Sequence, residues 1–74
     1  APDSVKMLKR RFGLFPASFW WRGQVYNIDA VNECQTVTNR IDQSTAYHFW
    51  VRCDGQRFHL CEVLPPGRWL LWPE

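Results

Sequence analysis

The fold is decided by residues 47–64, which read YHFWVRCDGQRFHLCEVL. Asp54-Gly55 interrupts an alternating apolar pattern, and a two-residue Asp-Gly loop is typical of a β-hairpin, because its type I′ turn needs positive φ at both central residues. The sequence therefore predicts two antiparallel strands that reverse at this dipeptide. Counting outward from the turn gives the predicted pairs Cys53–Gln56, Arg52–Arg57, Val51–Phe58, Trp50–His59, Phe49–Leu60, His48–Cys61 and Tyr47–Glu62.

This register divides the hairpin into two faces, because successive side chains of a strand point in opposite directions. One face is apolar and is predicted to line the core: Tyr47, Phe49, Val51, Phe58 and Leu60. The other face mixes aromatic, cationic and sulfur-bearing side chains and is predicted to meet solvent: His48, Trp50, Arg52, Arg57, His59 and Cys61. Any binding function is expected on this second face.

The sequence on either side of the hairpin predicts a meander of antiparallel strands. Turn residues delimit further strands at 17–21, 24–37 and 68–72, with a tight turn at Arg22-Gly23 and a polar loop over 38–45. In the long strand the apolar register drifts near residues 29–31, which indicates a bulge or a sharp bend. We therefore expect a mainly β fold, a small five-stranded antiparallel meander that is SH3-like or a half-open barrel.

Residues 1–13 are predicted as a basic N-terminal arm or short helix, followed by the small β domain at 14–74. Ser4 fits a helix N-cap and Gly13 a C-terminal cap, with apolar residues at i, i+3 and i+7 between them. Four cations against one carboxylate give this segment a charge of +3, whereas the body carries five arginines against six carboxylates. We expect Lys9, Arg10 and Arg11 to assist binding electrostatically.

Composition disfavours an enzyme. A chain of 74 residues forms one small domain, and its 16% of aromatic residues suffices for a compact core but not for a deep active site. Three cysteines without a CxxC pattern indicate reduced thiols and a cytoplasmic protein. No apolar run is long enough to span a bilayer, so no membrane association is expected.

The outer hairpin face admits three kinds of chemistry. His48, His59 and Cys61 have a spacing that could hold zinc or copper, although a fourth ligand would have to come from elsewhere, such as Cys34 or water. The same His and Cys could form a nucleophile pair, but no oxyanion pocket is apparent. Trp20, Trp50 and Trp72 fall on the opposite alternation phase from the predicted core residues. If two of them lie exposed beside Arg52 and Arg57, they suit either a protein hot spot or base stacking on single-stranded nucleic acid. The structural alternative is that these tryptophans simply belong to the core.

A second set of residues carries a resemblance to a known family. The pattern P-x-x-F-x-W-R-G-x-x-Y-x-I begins at Pro16, and D-G-x-x-F-x-L and G-R-W-x-L begin at Asp54 and Gly67. Residues 16–72 thereby resemble a small bacterial β domain of unknown function, which occurs alone or at the C-terminal end of proteins related to Y-family translesion DNA polymerases. The chain departs from that pattern at Cys34-Gln35. The resemblance implies an accessory, non-catalytic role near DNA repair and supplies no catalytic residues.

Taken together, the sequence predicts a non-enzymatic interaction module that docks a protein partner, with no cofactor and no small-molecule substrate. Single-stranded nucleic-acid binding through the aromatic-cationic hairpin face is the first alternative, and a metal-binding module is the second. The predicted binding residues are His48, Trp50, Arg52, Arg57 and His59, with Lys9, Arg10 and Arg11 in support.

Overall fold

The structure, a computed structural model, describes residues 2–73. Within these residues, eight antiparallel strands form two sheets, a five-stranded one in the order β1-β8-β7-β6-β5 and a three-stranded one in the order β2-β3-β4. No helix occurs in the described residues. The strands are β1 (Asp3–Ser4), β2 (Lys6–Arg11), β3 (Phe15–Trp21), β4 (Gln24–Asn27), β5 (Ala30–Thr38), β6 (Thr45–Cys53), β7 (Gln56–Leu64) and β8 (Arg68–Pro73).

The central hairpin is confirmed residue by residue. β6 and β7 pair as Cys53 with Gln56, and the register runs without a shift from there to Thr45 and Leu64. Asp54 and Gly55 have φ angles of 51° and 80°, as a type I′ turn requires. The turn at Arg22-Gly23 is of the same kind, with φ angles of 50° and 81°. Local turn chemistry thus fixes two of the strand reversals.

The predicted bend of the long strand is also confirmed. β4 ends at Asn27 and β5 begins at Ala30, so the chain passes from the three-stranded sheet to the five-stranded one between them. Asp29 anchors this bend, because its amide donates to the carbonyl of Arg52 and its carboxylate accepts from the amide of Asp54 at 2.9 Å. A register shift between Val31 and Glu33 marks a bulge just beyond the bend.

The predicted N-terminal helix is wrong. Residues 6–11 form β2, which pairs with β3, and Phe12 and Gly13 have positive φ in the loop that follows. Val5 is buried and Met7 packs against the core, so the apolar spacing that matters is two rather than three or four. A helix of about nine residues is only marginally stable alone, whereas a strand at this position can hydrogen-bond its backbone amides and carbonyls to β3.

The five-strand count is wrong for related reasons. The N-terminal segment contributes β1 and β2, and the bend divides the long strand into β4 and β5. The basic segment is therefore part of both sheets rather than an arm beside them. Asp3 helps to hold it, because its carboxylate accepts hydrogen bonds from Trp21 and Arg22, each at 3.0 Å.

The core lies between the two sheets and is rich in aromatic residues. Phe19 of β3 stacks on Tyr26 and meets Phe58 edge to face, while Phe49 stacks on Trp69. Aromatic packing of this kind lets a small chain bury much apolar area per residue. The buried core comprises Val5, Phe19, Ile28, Phe49, Val51, Cys53, Phe58, Leu60, Trp69 and Leu71.

A charged side chain is buried on the core-facing side of β7. Glu62 on β7 is only 3% exposed, and Arg10 on β2 donates to its carboxylate at 2.9 Å. The Arg10 guanidinium also lies over the Trp69 ring at 5.5 Å. Arg10 therefore stabilises the contact between the two sheets.

Candidate functional site

The candidate site is the outer face of the five-stranded sheet. The core-facing hairpin residues Phe49, Val51, Phe58 and Leu60 are buried, as the register predicts. On the opposite face, Arg52 and Arg57 are exposed, and the aromatic residues between the strands are half-buried. The structure therefore brings five of the predicted binding residues onto one surface: His48, Trp50, Arg52, Arg57 and His59.

Three aromatic rings form a continuous row across this face, and we call Trp50, His59 and Trp72 the aromatic row. Register places them side by side on β6, β7 and β8, with His59 opposite both tryptophans. The His59 ring lies 4.6 Å from the Trp50 ring and 4.7 Å from the Trp72 ring, with interplanar angles of 10° and 22°. The imidazole is thus sandwiched between two indoles.

The spacing shows how the rings stand on the sheet. Near-parallel rings with centroids this close overlap face to face, because rings lying side by side in one plane would collide at that distance. Neighbouring strands are themselves about 4.8 Å apart, so the ring planes stand roughly perpendicular to the sheet and the rings stack from one strand to the next. The row therefore uses the inner faces of Trp50 and Trp72 internally and presents ring edges to solvent.

Trp72 was considered as an exposed tryptophan but was not among the predicted binding residues. The sequence places it on the same alternation phase as Trp50, but its partner across the sheet depends on the register between β7 and β8. That register is set by the turn over 65–67, in which Gly67 has a φ of 114° and its amide bonds to the carbonyl of Val63. From the sequence, the turn residues predict where β7 ends, but they do not predict which residues of β7 and β8 pair.

His48 extends the row along β6. Its Nδ1 and the Nε2 of His59 are 2.8 Å apart, which is a hydrogen bond in which one nitrogen must donate and the other accept. Its Nε2 lies 3.9 Å from the Sγ of Cys61. The two nitrogens of the His48 ring therefore face different partners.

This geometry does not assemble the three predicted metal ligands around one point. A single ion would need one nitrogen of His48 to face the same space as the donor atoms of both His59 and Cys61. Within residues 2–73 no group of three His, Cys, Asp or Glu side chains is placed to hold a metal ion. The metal-binding alternative would require the imidazoles to leave the hydrogen bond that joins them.

Cys61 is also poorly suited to act as a nucleophile beside His48. It lies on the outer face but is only 2% exposed, because its small side chain is flanked across the strands by His48 and Leu70. Burial, followed by the nearby carboxylate of Glu62, raises the pKa of the Cys61 thiol. A raised pKa reduces the thiolate that nucleophilic chemistry requires.

The end of the row at Trp50 opens onto a small recess. Its volume is about 240 Å³, and Asn32, Glu33 and Arg57 line it together with Trp50. Arg52 and Arg57 are paired across β6 and β7 at this end of the face. The recess thus combines an aromatic wall with one carboxylate and a guanidinium.

The three N-terminal cations are not part of this surface. Lys9, Arg10 and Arg11 lie on β2, in the three-stranded sheet, and Arg10 is bound to Glu62. Exposed Trp20 also lies on that sheet, opposite Lys6 and Val25 in the register. The structure therefore places these three cations on a different sheet from the hairpin face, and their electrostatic support of binding stays a prediction.

No family model matches the chain, and neither the curated proteins nor the solved structures compared with it contain a match. The described residues include no helix with the length and apolar character needed to cross a membrane.

Proposed function

We propose that this domain is a non-enzymatic interaction module that docks a protein partner through the outer face of its five-stranded sheet. The observation that carries the proposal is the aromatic row, Trp50, His59 and Trp72, with Arg52 and Arg57 exposed beside it. Tryptophan and arginine are the residues that most often dominate protein–protein binding energy. The stacked rings are held rigidly, so ordering them on binding costs little entropy.

The orientation of the rings favours a protein partner over single-stranded nucleic acid. Base stacking needs an open ring face, and both faces of His59 and the inner faces of Trp50 and Trp72 are occupied by neighbouring rings, which leaves only the outer faces of the two end rings for a base. A surface of upright ring edges, bordered by arginines and the recess at Trp50, suits aliphatic and carboxylate side chains of a protein. Strong nucleic-acid binding also draws on many cationic contacts, and the N-terminal cations lie on the other sheet.

The biological setting is part of the proposal. An accessory role in bacterial DNA repair rests on the resemblance carried by residues 16–72, whereas the description of the fold as an SH3-like or half-open barrel rests on the tendency of a short meander to curl and cover its edges. The geometry of Cys61, a buried thiol with a raised pKa, supports a role without catalysis. A bacterial cytoplasmic protein of the repair machinery is accordingly the partner class to examine first.

Capture from a lysate of the source organism tests the docking face when it is made dependent on defined variants. Trp50→Ala removes one end of the row, and the double variant Arg52→Glu, Arg57→Glu reverses the exposed charges while leaving the rings in place. We expect each to weaken capture at least about tenfold, as loss of hot-spot residues does. Trp20→Ala, on the three-stranded sheet, is the matched control and should capture as the unaltered chain does.

Two outcomes would contradict the proposal. Capture that survives both outer-face changes but fails with Trp20→Ala would move the binding surface to the other sheet. Capture that is abolished by nuclease treatment, together with salt-sensitive binding of a labelled single-stranded oligonucleotide, would replace the protein partner with nucleic acid.

A further inference from the structure

β5 is an edge strand, and most of its length lacks the usual features that prevent pairing with another strand. It is nine residues long, and on one side it pairs with β6, whereas no strand within residues 2–73 pairs with its other side. Exposed edges are usually blunted by lysine, proline, a bulge or short length. Beyond the bulge near Asn32, the run from Glu33 to Thr38 keeps a regular register and contains neither lysine nor proline. Its one charge is Glu33.

The direction of the free backbone groups follows from the central hairpin. A two-residue loop makes Cys53–Gln56 a hydrogen-bonded pair, so alternate residues of β6 bond to β7 and the others, Trp50 and His48 among them, bond to β5. Their partners on β5 are Glu33 and Gln35. The amides and carbonyls of the intervening residues Cys34, Thr36 and Thr38 therefore point away from the sheet.

We propose that β5 pairs with β5 of a second copy of this chain, antiparallel and centred on Thr36. This register alone matches all three outward-facing residues, because Thr36 meets Thr36 of the second copy and Cys34 meets Thr38. About six backbone hydrogen bonds would form, two for each pair of this kind. The contact uses the same surface on both copies, so it closes as a two-fold dimer and does not extend into a fibre.

The side chains suit that register. It sets Gln35 opposite Val37 and threonine opposite threonine, a favourable cross-strand pair, and it leaves no two like charges face to face. Glu33 falls beyond the paired run, next to Asn39 of the second copy. Although the two edges are identical, no repulsion between like charges therefore opposes their pairing.

The ends of the paired run supply apolar contacts. A groove of about 410 Å³ lies beside the first half of β5, lined in part by Phe12, Phe15 and Val31. Antiparallel pairing carries the loop after Thr38 of the second copy toward this groove, and that loop bears Ile41. Ile41 is 96% exposed and Phe12 is 93% exposed, and Phe12 has an unfavourable positive φ for a bulky residue. The dimer gives both exposed side chains an apolar neighbour.

The contact along β5 does not involve the proposed docking face. A two-fold axis through an antiparallel strand pair is perpendicular to the sheet, so the outer faces of both copies would lie on the same side of one continuous sheet. Two aromatic rows would then be offered to a partner together. Such bivalence can raise avidity without a new contact between either face and the partner.

Charge swapping at the axis tests the register. In Thr36→Lys two lysines would face each other across the axis, and in Thr36→Glu two glutamates would, so each variant should sediment as a monomer when the unaltered chain dimerises. An equimolar mixture of the two variants should recover the dimer, because a lysine of one copy then faces a glutamate of the other. Sedimentation velocity up to about 1 mM is the readout. Thr38→Lys is the matched control, since position 38 faces Cys34 and not itself.

We expect the unaltered chain to be a dimer, each of the two Thr36 variants to be a monomer, and their equimolar mixture to be a dimer. The Thr38→Lys variant should still be a dimer. A monomeric unaltered chain at every concentration would overturn the proposal. A dimer that persists in both single variants would place the contact elsewhere. Because rescue in the mixture requires both variants to be folded, loss of structure cannot imitate the expected pattern.

Discussion

Replacing His59 by alanine should destabilise the domain as though a core residue had been removed. His59 is a half-buried polar residue on the outer face, where substitution usually changes stability by less than about 0.5 kcal/mol. Here its ring stacks on Trp50 at 4.6 Å and on Trp72 at 4.7 Å, and it shares a hydrogen bond with His48. The change therefore removes three interactions from a surface position.

The magnitude can be built from those contacts. Each aromatic pair contributes about 0.5–1.5 kcal/mol beyond the area it buries, and a hydrogen bond contributes roughly 1 kcal/mol net. Partial exposure of the row lowers the total, so we expect a loss of about 2 kcal/mol in the free energy of unfolding. For a domain of this size that corresponds to a fall of about 10 °C in Tm.

Urea unfolding followed by circular dichroism is the assay. With a slope of about 1 kcal/mol per molar urea for so small a chain, the midpoint should fall by about 2 M. His59→Phe keeps a ring between the two indoles and should lose less than half as much. Arg57→Ala, two residues away on the same face, is the control and should change little. A loss below about 0.5 kcal/mol for His59→Ala would refute the stacked row.

Two further predictions concern buried charge and buried thiols. Arg10→Met leaves the carboxylate of Glu62 buried without its partner and should lower the free energy of unfolding in urea by about 1–2 kcal/mol. The loss is smaller than for a fully buried ion pair because the Arg10 side chain is 41% exposed. Adding Glu62→Gln to the Arg10→Met variant should recover part of the loss. Burial, with a smaller effect of Asp29, raises the pKa of the Cys53 thiol from 9.0 to about 11, so the unfolded state releases its proton first and stability should fall by about 2 kcal/mol between those pH values. Cys53→Ala should flatten that decline and Cys34→Ala, at an exposed position, should not; an unchanged slope in Cys53→Ala would contradict the assignment.

The central part of the fold could be predicted from sequence because local chemistry determines it. Asp54-Gly55 and Arg22-Gly23 admit the positive φ of tight turns, and alternation then assigns each hairpin side chain to a face. The drift of apolar register predicted the bend at Asp29 for the same local reason. The candidate residues on the hairpin followed without information from distant parts of the chain.

The remainder depended on contacts between distant segments. Residues 4–13 satisfy helix and strand patterns alike, and only the presence of β3 as a pairing partner decides between them. Trp72 joins the row through a register fixed by the turn before β8. The role of Arg10 could not be read from its neighbours in sequence, because Glu62 lies 52 residues away.

The measurement that tests the central claim most directly is a titration of the 15N-labelled chain with the captured partner, observed at the tryptophan indole N–H signals. If the outer face is the docking surface, the signals of Trp50 and Trp72 change with the partner and that of Trp20 stays in place. If the Trp20 signal changes while those of Trp50 and Trp72 do not, the partner binds the three-stranded sheet and the proposed function is wrong.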